Sequence, residues 1–318
     1  MEIRSRFAPS PTGKIHLGNV WVAFLNWLWT RQHKGKIVLR IEDIDRARSR
    51  SEYISALMRD LSWLGLDWDE GPEKEYSYGW TVQSRRSTFY ESILLRWKEA
   101  GEIYPCYCAR SRIRQIASAP HPGEAAPVYD GHCRNLTAEE RAKETKKPSW
   151  RIRMENTDLS FTDMFRGRQT GTLHAGTDDF VLRRADGMMA YQLAASADDG
   201  AMGITHVFRG EDLLNSTFDQ IYLLKKLRYS VPVYGHLPLL TDREGVRLSK
   251  RQHGITIEEL RQSGVTPGRI IGQILFWAGA IATPVSVTAA EAEQNISFSA
   301  CSHLGKRMIF TDMKDFLC

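Results

Sequence analysis

Long apolar runs are missing from this sequence of 318 residues. The longest, around Val20 to Trp29 and Ile274 to Ile281, are too short to cross a bilayer. No basic segment followed by an apolar one opens the chain, so a cytoplasmic location without a membrane partner is expected. Cysteine is scarce too, with five residues, three crowded at Cys106, Cys108 and Cys133 and two stranded at Cys301 and Cys318. That spacing excludes a disulfide framework and suits one metal site. An acidic excess is also lacking: the net charge is +5 and the pI about 8.9, a balance that suits a polyanionic partner. What remains is an ordinary globular composition, 42% hydrophobic, enough for one sizeable core or two modest ones. A monomer is expected.

The stretch Arg6 to Asn19 organises the rest. Glu2 to Arg6 reads as a short strand and Val20 to Gln32 as a buried helix, with a loop rich in proline and glycine between them. Gly13 and Gly18 let a ligand approach backbone, and the helix is expected to turn free N–H groups and its positive end toward phosphate. His16 adds a side-chain donor. A second, basic loop, Val246 to Gln252, stands far down the chain.

Between the two loops the chain alternates strands and helices. Lys36 to Glu42 is an apolar run of strand length that ends in carboxylates, where open α/β sheets bind ligands, and Glu42 is placed to meet an amino group. Ser51 to Leu64 and Ser84 to Ala100 have helical periodicity, whereas Gly65 to Pro72 reads as a loop with a solvated acidic cluster. Cys106, Cys108 and Cys133, gathered from two tight turns, supply most of a tetrahedral zinc shell. His132, His121 and Tyr129 are candidates for the fourth ligand, with His132 favoured by chemistry alone. Glu139 to Lys147 reads as a charged, solvated helix. Trp150 to Met154 alternates as a strand, and Asp178 to Arg183 with Met188 to Gln192 flanks a turn at Asp186 and Gly187. Leu193 to Asp199 suits a helix of small residues. Ile204 to Arg209 is a strand ending in an arginine able to grip a carboxylate with a bidentate fork. Leu213 to Leu227 reads as a helix and Tyr234 to Leu240 as a strand. Helices follow at Ile257 to Ser263 and Pro267 to Ala280, and no motif is legible from about Ala282 onward.

His16-Leu-Gly-Asn19 and Arg247-Leu-Ser-Lys-Arg251, in that order and separation, resemble the two ATP signatures of class I aminoacyl-tRNA synthetases. Arg40-Ile-Glu-Asp43 resembles the glutamyl-tRNA synthetase branch. Cys106-x-Cys108 followed by Tyr129-x-x-x-Cys133 is similar to the zinc site of the glutamyl-Q tRNA(Asp) synthetases, the short paralogues of that branch. The resemblance implies an α/β fold: a Rossmann-like parallel sheet with an inserted zinc-containing acceptor-type subdomain and a short helical C-terminal part. Its expected divisions are 1–103 and 191–245 for the halves of the catalytic domain, 104–190 for the insertion, and 246–318 for the second ATP loop and helical end, without an anticodon-binding domain. It also implies a glutamate site of Arg6, Phe7, Ala8, Pro9, Ser10, Glu42, Tyr191 and Arg209. ATP would meet His16, Gly18, Asn19, Arg247, Leu248, Ser249, Lys250 and Arg251, with His16 and Lys250 catalytic. Zinc would be held by Cys106, Cys108, Tyr129 and Cys133, so that the resemblance selects Tyr129 over His132. Magnesium would accompany ATP. The activity implied is tRNA-independent formation of glutamyl-adenylate from L-glutamate, then transfer to the queuosine base of tRNA(Asp). A shortened glutamyl-tRNA synthetase charging tRNA(Glu) and a non-catalytic tRNA-binding paralogue are the alternatives. Asn19, Arg247 and Arg251 depart from the family signatures.

Overall fold

The computed structural model describes residues 2–74, 79–109, 112, 129–241, 256–306 and 308–310. In chain order its first half runs β1 (Arg4–Phe7), α1 (Leu17–Gln32), β2 (Lys36–Leu39), α2 (Ser51–Trp63), α3 (Ser87–Glu99), β3 (Ile103–Cys106), α4 (Ala138–Ala142), β4 (Ser149–Ile152), β5 (Thr157–Asp163), β6 (Gly167–Leu173) and β7 (Val181–Arg183). The second half runs α5 (Tyr191–Ala201), β8 (His206–Gly210), α6 (Ser216–Lys226), β9 (Val233–Leu237), β10 (Leu239–Thr241), α7 (Ile257–Gln262), α8 (Pro267–Ala278), α9 (Ala289–Asn295) and β11 (Met308–Phe310).

The main sheet has the order β2-β1-β8-β9-β5-β6. Its first four strands are parallel, with Arg4 to Phe7 in register with Lys36 to Leu39 and His206 to Gly210 in register with Val233 to Leu237. Parallel strands are covered on both faces, which is why they read as apolar runs. Here Ile37, Leu39 and Phe208 join a core with α1, α2 and α8, while Val38, Val207 and Tyr234 join another with α3, α5 and α6. Helix α1 is buried almost all round, from Leu17 through Trp21, Phe24 and Leu28, as expected of a helix at the centre of such a layer.

The middle of the chain serves two sheets. Strands β3, β4 and β7 form a separate antiparallel sheet beside the cysteines. The hairpin of β5 and β6 instead extends the edge of the main sheet, where Asp163 pairs with Tyr234 of β9. Sequence reading found neither of these two strands, since their solvent-facing polar residues blur the apolar pattern. The charged helix expected over Glu139 to Lys147 is shorter, ending at Ala142.

The described residues beyond Ala282 are placed by contacts, although sequence reading found no motif there. Gly272 of α8 lies so close to Val285 that an added Cβ would stand 1.6 Å from its carbonyl oxygen. The Gln32 amide donates to the carbonyls of Glu293 and Ile296 and accepts from the Phe298 N–H, tying this segment to the end of α1. Strand β11 pairs in parallel with β10. The helical C-terminal part thus also contains a strand.

The Gly65 to Pro72 loop also differs from expectation. Its Glu70 is buried and receives both terminal nitrogens of Arg4, so the cluster is only partly a solvated face.

Candidate active site and metal centre

The first loop ends in a cap built by its own histidine. His16 is the N-cap of α1: its Nδ1 accepts from the Gly18 N–H at 3.1 Å, and Asn19 Oδ1 accepts from the His16 N–H at 3.2 Å. The Asn19 and Val20 N–H groups both reach the His16 carbonyl. The free helical donors expected for phosphate are therefore largely engaged within the turn. The ring gains from this, because an accepting Nδ1 leaves the proton of a neutral imidazole on Nε2, where it can be donated. Burial lowers the His16 pKa and keeps the ring neutral. Thr256, described just beyond the second loop, bridges to His16, and the Ile257 N–H donates to the Ile15 carbonyl. Arg247, Leu248, Ser249, Lys250 and Arg251 lie outside the described residues.

Near the ends of β1 and β2 a cavity of about 480 Å³ is lined by Ser10, Thr12, Glu42, Gln83, Met188 and Tyr191, among others. Three of the expected glutamate-site residues, Ser10, Glu42 and Tyr191, thus come together. Arg6 and Arg209 are not in that lining; both are buried, and their charges act on Tyr191 of its wall. The Glu42 side chain is 7% exposed and accepts from Arg40 Nη2 at 3.0 Å. Burial raises its pKa, opposed by the Arg40 and Arg6 guanidinium groups. Arg40, wholly buried, also donates to Asp199 at 2.6 Å, and Arg6 stands 3.4 Å from the same carboxylate while donating to the Phe208 carbonyl. Burial disfavours the Asp199 anion, but the Arg40 and Arg6 charges outweigh it and lower its pKa. Behind them Asp198 accepts from Gln83, Arg86 and Tyr90.

Arg209, at the end of β8, is held from three directions. Its Nε donates to His236 Nε2 at 3.0 Å, Nη1 to Gln220 Oε1 at 2.6 Å and Nη2 to Thr217 Oγ1 at 2.6 Å. Each terminal nitrogen keeps one further N–H beyond these bonds, the number that a bidentate carboxylate needs. Gln220 in turn donates to Gln192, the neighbour of Tyr191 on α5, which couples the arginine to the cavity wall.

The three cysteines also converge. The sulfurs of Cys106, Cys108 and Cys133 lie within 4.8 Å of one another. Tyr129 joins them: its hydroxyl is 3.7 Å from Cys106 Sγ and accepts from the Cys133 N–H at 2.9 Å. His132 is exposed and outside the cluster, because the turn at Gly131, with φ of 72°, points successive residues apart. His121 lies outside the described residues. Three sulfurs, close-set and mostly buried, could hold a metal ion, and the Tyr129 phenol oxygen lies beside them. The Arg151 guanidinium lies 3.8 Å from the centre of the Tyr129 ring. Burial pushes the Cys108 thiol up to about 12, so metal would have to displace its proton.

Sequence reading gave no role to Arg40, Asp198, Asp199, Asp163, Thr217, Gln220 or His236. Arg40 and His236 stand beside or within strands that were recognised, and a charged or polar residue in an apolar run was the available signal. Asp163 gave none, since its strand was not recognised.

A family model described as tRNA synthetases class I (E and Q), catalytic domain, matches residues 2–298. A glutamyl-Q tRNA(Asp) synthetase of Symbiobacterium thermophilum is 46% identical over 90% of each chain, and one of Nitratidesulfovibrio vulgaris is 48% identical over 88% of this chain and 87% of its own. A glutamate–tRNA ligase of Syntrophus aciditrophicus is 38% identical over 87% of this chain but 58% of its own. Among solved structures, glutamate–tRNA synthetase from Elizabethkingia anophelis is similar with a TM-score of 0.83 and 27% identity, covering 99% of this chain and 69% of that one. With its parallel sheet, inserted antiparallel sheet and cysteine cluster, this chain belongs to the class I tRNA synthetases of the glutamate and glutamine branch.

Proposed function

We propose that this protein activates L-glutamate with ATP, without needing tRNA for that step, and transfers the glutamyl group to the queuosine base in the anticodon loop of tRNA(Asp). The observation that carries the choice is the greater identity to the relatives named glutamyl-Q tRNA(Asp) synthetases, 46% and 48%, than to the glutamate–tRNA ligase at 38%. The site chemistry is compatible with it: a buried carboxylate, Glu42, suits an α-ammonium, and a buried, oriented Arg209 suits an acidic side chain.

In this reading Arg6, the backbone of Phe7, Ala8, Pro9 and Ser10, and Tyr191 shape the rest of the glutamate pocket. Its α-carboxylate attacks the α-phosphorus of ATP and pyrophosphate leaves. His16 Nε2–H donates to the phosphates beside Gly18 and Asn19, and Lys250, on the ATP-binding loop of Arg247, Leu248, Ser249 and Arg251, neutralises charge on the departing pyrophosphate. Magnesium bound with ATP supplies further neutralisation. A hydroxyl of queuosine then attacks the acyl carbon of the adenylate, AMP leaves, and an ester forms on the base. Zinc, held by Cys106, Cys108, Tyr129 and Cys133, would give the insertion a fixed shape. The proposed divisions are catalytic halves at 1–103 and 191–245, the insertion at 104–190 and the second ATP loop with the helical end at 246–318. The protein would act as a cytoplasmic monomer.

The test is transfer of labelled glutamate, with ATP and magnesium, to tRNA(Asp) with queuosine, the same tRNA without it, and tRNA(Glu). Label confined to the queuosine-containing tRNA supports the reading. Label on tRNA(Glu) alone assigns the chain to ordinary charging, and no label with any of them rejects both.

A further inference from the structure

Arg209 does not orient itself. Its Nε–H is aimed at a ring nitrogen, His236 Nε2, which can accept only when that nitrogen carries no proton. The far side of the ring holds one proton on Nδ1, which stands 2.6 Å from Asp163 Oδ2, and burial together with the Arg209 charge facing Nε2, where Thr217 Oγ1 also lies at 3.2 Å, disfavours a second. Asp163 is itself fixed as an acceptor. It takes the backbone N–H groups of Phe165 and Arg166 on Oδ1, and that of His236 chiefly on Oδ2 at 3.1 Å. Asp163, Arg209 and His236 are all nearly inaccessible to solvent. The three residues come from β5, β8 and β9, neighbouring strands of the main sheet, so the edge hairpin reaches into the site through Asp163.

We propose that Asp163 and His236 are positioning residues for amino-acid selection: they hold Arg209 in the one orientation that presents its free N–H pair to a side-chain carboxylate. The inference rests on the reading that Arg209 meets the acidic side chain of the substrate. A loosely held arginine could turn to present a single donor to the carbonyl oxygen of glutamine. A clamped one meets the amide NH₂ with an N–H, donor against donor, so clamping serves discrimination as well as affinity. Asp163 and His236 need not touch substrate, and neither is a catalytic residue.

The balance of hydrogen bonds predicts which substitutions are tolerated. His236→Gln keeps an oxygen that can accept from Arg209 Nε. His236→Leu keeps bulk and removes the acceptor. Asp163→Asn can turn an NH₂ group toward Nδ1, which favours the tautomer with Nε2–H and sets it against Arg209 Nε–H.

The experiment is amino-acid-dependent pyrophosphate exchange by the full chain with glutamate and glutamine, beside thermal melts and ¹⁵N spectra of its histidines. Wild type should show a ring protonated on Nδ1 whose signal disappears in His236→Gln. His236→Leu should raise KM for glutamate by about tenfold, the scale of one lost orienting hydrogen bond, with the KM for ATP unchanged and the glutamate-to-glutamine preference reduced. His236→Gln should recover most of the loss. An Nε2-protonated His236 in folded wild type overturns the proposal whatever the variants do. So does a folded His236→Leu with unchanged glutamate KM and preference, if Arg209→Leu loses glutamate binding. Unchanged glutamate binding in Arg209→Leu would instead overturn the substrate role of Arg209 itself.

Discussion

Arg4 and Glu70 meet as a bidentate pair, Nη1 to Oε1 and Nη2 to Oε2 at 2.6 Å each, and both side chains are buried. Arg4 lies on β1, while Glu70 belongs to the loop after α2 whose backbone bridges to β2 through Val38. The pair therefore pins that loop to the central strands. Removing Glu70 takes a bidentate carboxylate from a buried guanidinium, so Glu70→Ala should cost about 3–5 kcal/mol in denaturant unfolding. Arg4→Met with Glu70→Leu should cost clearly less than Glu70→Ala alone. Equal losses would mean that the pair is not what the loop depends on.

What the sequence made legible was the alternation of elements and the residues at strand ends. Apolar runs on β2 and β8 and the Pro267 start of α8 are local signals, each read without knowing the partner element, whereas the helix was read to Ala280, past the left-handed Gly279 that ends it. Glu42 and Arg209 were legible for the same reason, as charges closing apolar runs. The supports of those residues were not. Asp163 reaches His236 across 73 positions, and Arg40 reaches Asp199 across 159, so their meaning exists only once the sheet order is known. After Ala282 the Thr288–Glu291 capping box of α9 was a local signal that went unread, whereas Val285 is fixed by close backbone approach to α8, which no pattern announces.

His16 has two separable tasks, capping α1 through Nδ1 and offering Nε2–H to phosphate. Asparagine is a good N-cap but has no group in the place of Nε2. His16→Asn should keep the melting temperature within a few degrees of wild type and slow adenylate formation by about 100-fold, measured by pyrophosphate exchange. His16→Ala should show both defects. An Asn variant with full activity would remove the ring from the chemistry.

Tyr129 separates a four-donor site from three cysteines alone. If its oxygen completes the shell, Tyr129→Phe should retain the ring packing under Arg151 yet release zinc to a chelator at least about tenfold more readily, the usual scale for a perturbed site. Cys133→Ser should lose more. Metal content by elemental analysis and chelator competition give the readout independently of activity. Equal retention by wild type and Tyr129→Phe would exclude the phenol as ligand.

Asp219 is a carboxyl group whose pKa is pushed up to about 7, first by burial and then by the charge of Asp178. Raising a carboxyl pKa in the folded state means that the folded protein holds this proton more tightly than the unfolded one. Between pH 4 and 7 stability then falls as pH rises, and above about 7 the full penalty of a desolvated anion remains. Asp219→Asn should raise the melting temperature at pH 8 and change it little at pH 4. The opposite pattern would show that the carboxylate is stabilising, through the Gln192 amide 3.4 Å away.

Gly272 reports on how the chain after α8 is held. The carbonyl of Val285 occupies the place where a Cβ would project, at 1.6 Å, and neither side can yield easily because both are backbone. Gly268, one turn earlier, would meet Ser286 Oγ at 2.6 Å, a contact that a hydroxyl can relieve by rotating. Alanine normally favours a helix over glycine by about 1 kcal/mol, so an isolated α8 would gain from either change. In the folded protein the outcomes should diverge: Gly272→Ala should lose about 3 kcal/mol or more and expose the segment from Val285 to proteolysis, whereas Gly268→Ala should cost far less. Similar stabilities for the two variants would mean that the segment leaves α8 without penalty, and that the packing between them contributes little to holding the C-terminal part on the sheet.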